Sequence, residues 1–184
     1  MKYLIASDIH GSAYYCRKIL EQFKKEAADK IILLGDILYH GPRNDLPKEY
    51  NPKSVTEMLN SIKDNIFCVR GNCEAEVDQM VLDFPVLADY ALLCEQGTMI
   101  FITHGHLYNL TDLPKIGPKD ILLHGHTHIP ALEATEHCIY MNPGSASLPK
   151  ENSIPSYMTL EDGHFLWKSL ETGDIYKEYT LSEK

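Results

Sequence analysis

Apolar and polar positions divide this 184-residue chain into two halves of different character. In the first half, short apolar runs alternate with helical periodicity. Lys2 to Ser7 is an apolar run ending at Asp8, which reads as a buried strand. Cys16, Ile19, Leu20, Phe23 and Ala27 then recur at i, i+3, i+4, i+7 and i+11, predicting a helix from about Ser12. Lys30 to Leu34 is a second strand, closed by Gly35-Asp36. Tyr39 to Asn51 is polar and holds Pro42 and Pro47, so it is a loop. Asn51-Pro52 makes an N-cap and N1 pair for a helix whose apolar face is Val55, Met58, Leu59 and Ile62. Asn65 to Arg70 gives a third strand, running into the turn Gly71-Asn72-Cys73-Glu74. Strand, helix, strand, helix, strand implies right-handed crossovers and a parallel sheet.

The second half is a series of short β-rich runs: 90–95, 98–103, 120–123, 131–135, 138–141, 156–160 and the last 20 residues. Gly97, Asp162-Gly163 and Gly173-Asp174 read as hairpin turns between some of them. These runs predict a second sheet stacked on the first. No repeat, low-complexity tract or linker interrupts the chain, so one domain over 1–184 is expected.

Composition narrows the setting. At 44% hydrophobic and 23% charged residues the chain is a globular protein, not a disordered one. Its five cysteines are odd in number and show no C-x-x-C spacing, which disfavours a disulfide framework or a thiolate zinc site and suits a reducing compartment. No signal-peptide pattern and no membrane-length apolar run is present, so a cytoplasmic protein is expected. A net charge of -9 argues against tight non-specific binding of nucleic acid. It does not exclude a phosphorylated ligand, because bound divalent cations would reverse the local field. Oligomeric state is left open, a homo-oligomer included.

The chemistry lies where the strands end. Five apolar runs finish in metal-competent side chains: Asp8-Ile-His10-Gly, Gly-Asp36, Gly-Asn72, His104-Gly-His106 and His124-Gly-His126-Thr-His128. Seven of the nine histidines fall in these clusters or in the adjoining loop, at His40. Ligands bind outside the carboxyl ends of strands in open α/β sheets, so the five ends have one crevice in which to converge. Carboxylates with neutral imidazoles and open positions are what a metal-activated water requires. His126 and His128, two apart in an extended segment, would face the same side.

The ordered set D-x-H-G, G-D, G-N-x-E, H-G-H and G-H-T-H, from Asp8 to about Ser145, resembles the calcineurin-like metallophosphoesterase superfamily. The short architecture and the G-N-C-E turn resemble its small prokaryotic phosphodiesterases of the YfcE type. That resemblance implies a four-layer αββα sandwich with two stacked mixed sheets and two divalent metal ions, manganese first. It assigns one metal to Asp8, His10, Asp36 and His128 and the other to Asp36, Asn72, His104 and His126, with Asp36 bridging. The implied reaction is hydrolysis of a small phosphate ester by a metal-bridging water. A phosphomonoesterase and a non-catalytic interaction scaffold, as in the small retromer subunit of the same fold, are the alternatives. The complete ligand set speaks against the scaffold.

Several further residues are candidates for roles around the metals. In many superfamily members the position after the asparagine is a proton-donating histidine. Here it is Cys73, a weak donor, which makes its catalytic part doubtful and favours diesters with good leaving groups. His40 and Arg43, in the loop after the second strand, and His106 are candidate substrate contacts, and His40 is also a candidate catalytic group. His106 and His124 are expected beside the ligands rather than among them. Asn142-Pro143-Gly144-Ser145 is expected to shape the wall of the site.

Overall fold

The structure is a computed structural model and describes residues 1–181. Every residue of β1 (Tyr3–Ala6) is buried, because this strand has an apolar layer on each side. Leu4 and Ala6 face the helices while Tyr3 and Ile5 face the other sheet, as side-chain alternation along a strand requires. In β2 (Lys30–Leu33), Ile31 and Leu33 turn to the helices and Ile32 to the sheet.

Helix α1 (Ala13–Lys25) begins where predicted, with the Ser12 hydroxyl accepting from the Tyr15 N–H. Helix α2 (Pro52–Asn60) begins behind Asn51, whose side chain accepts from the Ser54 N–H. Cys16, Ile19, Val55 and Leu59 are buried against the sheet. The third strand is short, β3 (Ile66–Cys68). Helix α3 (Glu76–Val81) follows and was not predicted. It buries no residue, so it writes no apolar periodicity into the sequence.

The remaining strands are β4 (Tyr90–Glu95), β5 (Thr98–Thr103), β6 (Ile121–Leu123), β7 (Pro130–Ala134), β8 (Ile139–Pro143), β9 (Ser156–Glu161), β10 (His164–Ser169) and β11 (Ile175–Thr180). They do not all build the second sheet. β9, β10 and β11 return to the first, giving the order β11-β10-β9-β1-β2-β3, while the second sheet is β4-β5-β6-β8-β7. β9 runs antiparallel to β1, with Ile5 opposite Met158. Its unbroken burial from Ser156 to Leu160 marks a central strand, but burial alone does not say which sheet a strand joins.

Both sheets are therefore mixed, and the α/β class with two stacked sheets is as expected. Ile5, Ile32, Ile102, Leu123, Met141 and Trp167 belong to the core they share. The turns Gln96-Gly97 and Asp162-Gly163 have φ of 49° and 76°, and 48° and 77°, which is the left-handed pair of a type I′ hairpin. The layer outside the second sheet is made by the irregular segment 105–119. There Tyr108, Leu110, Leu113 and Ile116 cover Phe101 and Leu122. Among the described residues, no helix is long and apolar enough to cross a membrane.

Candidate metal centre and its crevice

The turns after β1, β2, β3, β5 and β6 meet at one end of the stacked sheets. Three backbone features shape them. First, Asp8, His10, Asp36, His126 and His128 all have positive φ, between 49° and 65°. A left-handed residue after a strand reverses the side chain abruptly, at a cost of order 1 kcal/mol or more that the surrounding contacts must repay. Five such residues, none of them glycine, lie within one cluster. His126 and His128 are consequently not in the extended backbone expected of them; the His126 ring meets that of His104 and the His128 ring that of His10.

Second, the Gly-Asp36 and Gly71-Asn72 turns touch. A Cβ on Gly71 would lie 2.1 Å from Asp36 Oδ1, so only glycine lets the turns approach this closely. Third, buried polar groups hold the turns in place. The Glu74 carboxylate accepts from the N–H groups of Asp36 (2.8 Å), Ile37 (2.8 Å) and Gly71. Burial, then the nearby Asp36, raises the Glu74 pKa, and these three donors oppose that rise. Ser145 Oγ and Ser147 Oγ both donate to Asp8 O, at 3.0 and 2.9 Å. Asn142 Nδ2 donates to Gly125 O, to Thr127 Oγ1 and to the Tyr140 hydroxyl. The Asn142-to-Ser145 turn is thus a brace behind the Asp8 and His126 turns and does not itself line the crevice.

The donor atoms fall into two groups. His128 Nε2 lies 3.3 Å and His10 Nε2 3.6 Å from Asp8 Oδ1, and His10 Nε2 is 3.7 Å from Asp36 Oδ2. On the other side, His104 Nε2 is 3.5 Å from Asp36 Oδ1, 3.1 Å from Asn72 Oδ1 and 3.1 Å from His126 Nδ1. Asp36 therefore presents one oxygen to each group.

The tautomers follow from the partners. Nδ1 of His10 donates to Tyr39 O (2.8 Å), that of His104 to Leu34 O (2.7 Å) and that of His128 to Leu148 O (2.7 Å). A carbonyl only accepts, so each Nδ1 carries a proton, and each ring, once deprotonated at Nε2 as a metal ligand must be, aims that lone pair into the cluster. His10 Nε2 and His128 Nε2 are only 3.2 Å apart, and Asp8 Oδ1 is buried with no hydrogen-bond partner. Converging lone pairs beside an orphaned carboxylate oxygen fit a cation, and the oxygen-and-imidazole donors suit a divalent one. Asp8, His10 and His128 form one buried group with metal-binding spacing, and Asp8, Asp36 and His104 another.

Without a cation these groups charge one another. Burial would raise the Asp8 pKa, but the His10 and His128 rings beside it hold it well below the usual carboxylate range. Burial would lower His104, but Asp36 and Asp8 raise it to about 9, so a cation binding there displaces a proton. Asp36 likewise falls below its ordinary value, burial being outweighed by His104. His126 is pushed down to about 4, by burial and then by His104, so its ring is neutral.

The other candidates divide. Cys73 and Arg43 line a crevice of about 450 Å³ that opens over the donor atoms. The His40 ring does not line it. That ring is held edge-on against Tyr39 and Tyr50, at 4.8 and 5.2 Å between ring centres. His106 also lies off the crevice, its ring 5.4 Å from that of His104. His124 is buried behind the cluster, stacked on Tyr140 at 4.5 Å, and burial lowers it to about 4. Glu74 and Asn142 were legible only as parts of motifs. Ser147 and Lys150, which lies at the crevice, gave no signal in the sequence.

The chain belongs to the calcineurin-like phosphoesterase superfamily, whose domain pattern matches residues 1–162. It is 43% identical over 162 residues, 88% of each chain, to phosphodiesterase YfcE of Escherichia coli strain K12. The solved structure of that E. coli phosphoesterase superposes with a TM-score of 0.95 at 40% identity, covering 99% of this chain and 100% of the other. Zinc-bound Vps29 of Entamoeba histolytica shares the fold alone, with a TM-score of 0.61 at 18% identity over 99% of this chain and all of the other.

Proposed function

We propose that this protein is a dinuclear phosphodiesterase acting on small phosphate diesters with good leaving groups. The observation that carries the reading is the convergence of three Nε2 lone pairs, fixed by Nδ1 donation to carbonyls, on two carboxylates of which one oxygen is orphaned. Asp8, His10 and His128 would hold one cation and Asn72, His104 and His126 the other, with Asp36 shared. Manganese is the first choice, because the donors are oxygen and imidazole without thiolate priority. Bound cations supply an acidified water and stabilise charge on the phosphoryl oxygens.

The chain's own residues do the rest. Asp36 spaces the two donor groups, Asn72 offers a neutral oxygen, and Arg43 lines the crevice beside them. Cys73 remains a thiol, because burial and then the Asp36 carboxylate push its pKa up. Its S–H points at Asp36 Oδ2, 3.3 Å away, so it protonates no leaving group, which favours diesters of acidic alcohols. His40 shapes the loop through Tyr39 and Tyr50 instead of supplying a proton. The 43% identity to a phosphodiesterase supports the diester reading. The five free cysteines support a cytoplasmic location.

The test is an activity screen on apo-protein reloaded with single metals, against matched diesters and monoesters, with elemental analysis of each preparation. Two metals per chain and manganese-restored diesterase activity are expected. One metal per chain, or monoesterase activity alone, would falsify the reading.

A further inference from the structure

We propose that Arg43 and Lys150 form a subsite for a second anionic group, so that the substrate is a phosphodiester carrying a further phosphate or carboxylate beyond the scissile phosphorus. The inference rests on the phosphodiesterase reading above and names its substrate class.

The crevice holds more than a phosphoryl group. Its volume of about 450 Å³ is that of a pocket for a whole small molecule, with the metal-competent atoms as its floor. Its two cationic side chains come from loops far apart in sequence. Arg43 stands in the loop after β2. Lys150 follows the brace that holds Asp8, and its own N–H donates to His128 O at 3.2 Å, which anchors it beside a floor residue. Two chain segments thus bring one positive charge each to one crevice.

Both charges lack a partner. Arg17, Arg70 and Lys168 pair with Glu49, Asp89 and Glu26, whereas Lys24, Lys53, Lys115 and Lys119 stand alone on the surface away from the crevice. Among the described residues, neither the Arg43 guanidinium nor the Lys150 ammonium meets a carboxylate or carbonyl. The only acidic side chain lining the crevice is Asp36, which is engaged by histidines and Cys73. Thr127 and Asn44 add neutral polar groups to the same walls. A scissile phosphate would be charge-matched by bound cations, so Arg43 and Lys150 are free to match a second anion through charge-assisted hydrogen bonds.

The experiment uses three p-nitrophenyl diesters that share a leaving group and differ in the retained alcohol: methyl, 2-carboxyethyl and 2-phosphonoethyl. The wild-type enzyme loaded with manganese should show a KM for the anionic esters about tenfold or more below that for the methyl ester, as one charge-assisted hydrogen bond would give. That ratio should fall toward one in the Arg43→Ala/Lys150→Ala double variant, and below one in Lys150→Glu. Both side chains are exposed, and metal content measured on each variant confirms an intact centre. A lower KM for the phosphonate than for the carboxylate identifies the second group as a phosphate, and the reverse order as a carboxylate. Equal KM values across the series in the wild type, or a ratio unchanged in the double variant, overturn the subsite while leaving the diesterase intact. Hydrolysis of none of the three overturns the diesterase reading itself.

Discussion

Cys73 Sγ lies 3.3 Å from Asp36 Oδ2, and the Cys73 N–H donates to Asp36 Oδ1 at 2.9 Å, so one residue holds both oxygens of the shared carboxylate. The side chain is therefore more than filler in a turn, yet its proton faces Asp36, the proposed bridging ligand, and not a departing alcohol. The rate should consequently depend steeply on leaving-group pKa. General acids contribute about 100- to 10,000-fold, and their absence appears as a strong preference for aryl over alkyl esters. Cys73→Ser keeps both hydrogen bonds and should keep fold, metal content and that slope. Hydrolysis rates across diesters graded by leaving-group pKa check this, and a flat wild-type slope that steepens in Cys73→Ser would show that the thiol donates.

Asp36 presents one oxygen to the His10 side and the other to the His104 side, at 3.7 and 3.5 Å. Asp36→Asn should therefore empty or disorder both metal positions together. Elemental analysis after dialysis reads the outcome, and retention of one metal at normal affinity would remove Asp36 from its bridging place.

Glu74 touches no donor atom of the cluster but accepts from three backbone N–H groups of two ligand-bearing turns. Glu74→Gln turns one acceptor into a donor facing a donor, so stability should fall by about 1.5–3 kcal/mol. Urea denaturation measures that loss, and metal titration should show weakened binding even though no ligand is altered.

Gly125 separates the His126 turn from the Asp8 turn. A Cβ there would lie 1.9 Å from Ser7 Oγ and 2.8 Å from Asp8 Oδ2. Gly125→Ala should push Asp8 out of line, costing about 1–3 kcal/mol in overpacking and loosening the metal held with His10 and His128 more than the one held with His104. Metal titration monitored per site distinguishes this from the joint loss expected of Asp36→Asn.

A charged cluster away from the crevice sets an acid limit on stability. Glu26 Oε1 accepts from Lys168 Nζ (2.7 Å) and from the Tyr157 hydroxyl (2.8 Å), and Lys2 Nζ is 3.1 Å from Oε2. Burial would raise the Glu26 pKa, but these partners bring it below its ordinary 4.5. A depressed carboxyl contributes stability above its unfolded value and loses it as pH falls through the folded one, so the loss begins near pH 4.5 and grows below it. Denaturation midpoints against pH should show that acid limb in the wild type and a flatter one in Glu26→Gln.

Much of this was written locally. The apolar run of β1, the i, i+3, i+4 stripe from Cys16 to Phe23, and the caps Ser12 and Asn51 are short-range patterns, and their elements appear within a residue or two of the expected bounds. The seven candidate ligands, Asp8, His10, Asp36, Asn72, His104, His126 and His128, were legible because each follows a strand, and strand ends in such a sheet converge. Local pattern could not assign β9 to β11 to the first sheet, since β9, buried on both faces, looks alike in either, and β10 and β11 pair onto it in turn. It could not give the left-handed backbone of Asp8, His10, Asp36, His126 and His128, because that conformation opposes the preference of the residues themselves. The contacts that impose it come from Glu74, Asn142, Ser145 and Ser147, up to 139 residues from the turns they brace. Side-chain chemistry chose the donors, and long-range packing decided which nitrogen each histidine presents and where each carboxylate oxygen points.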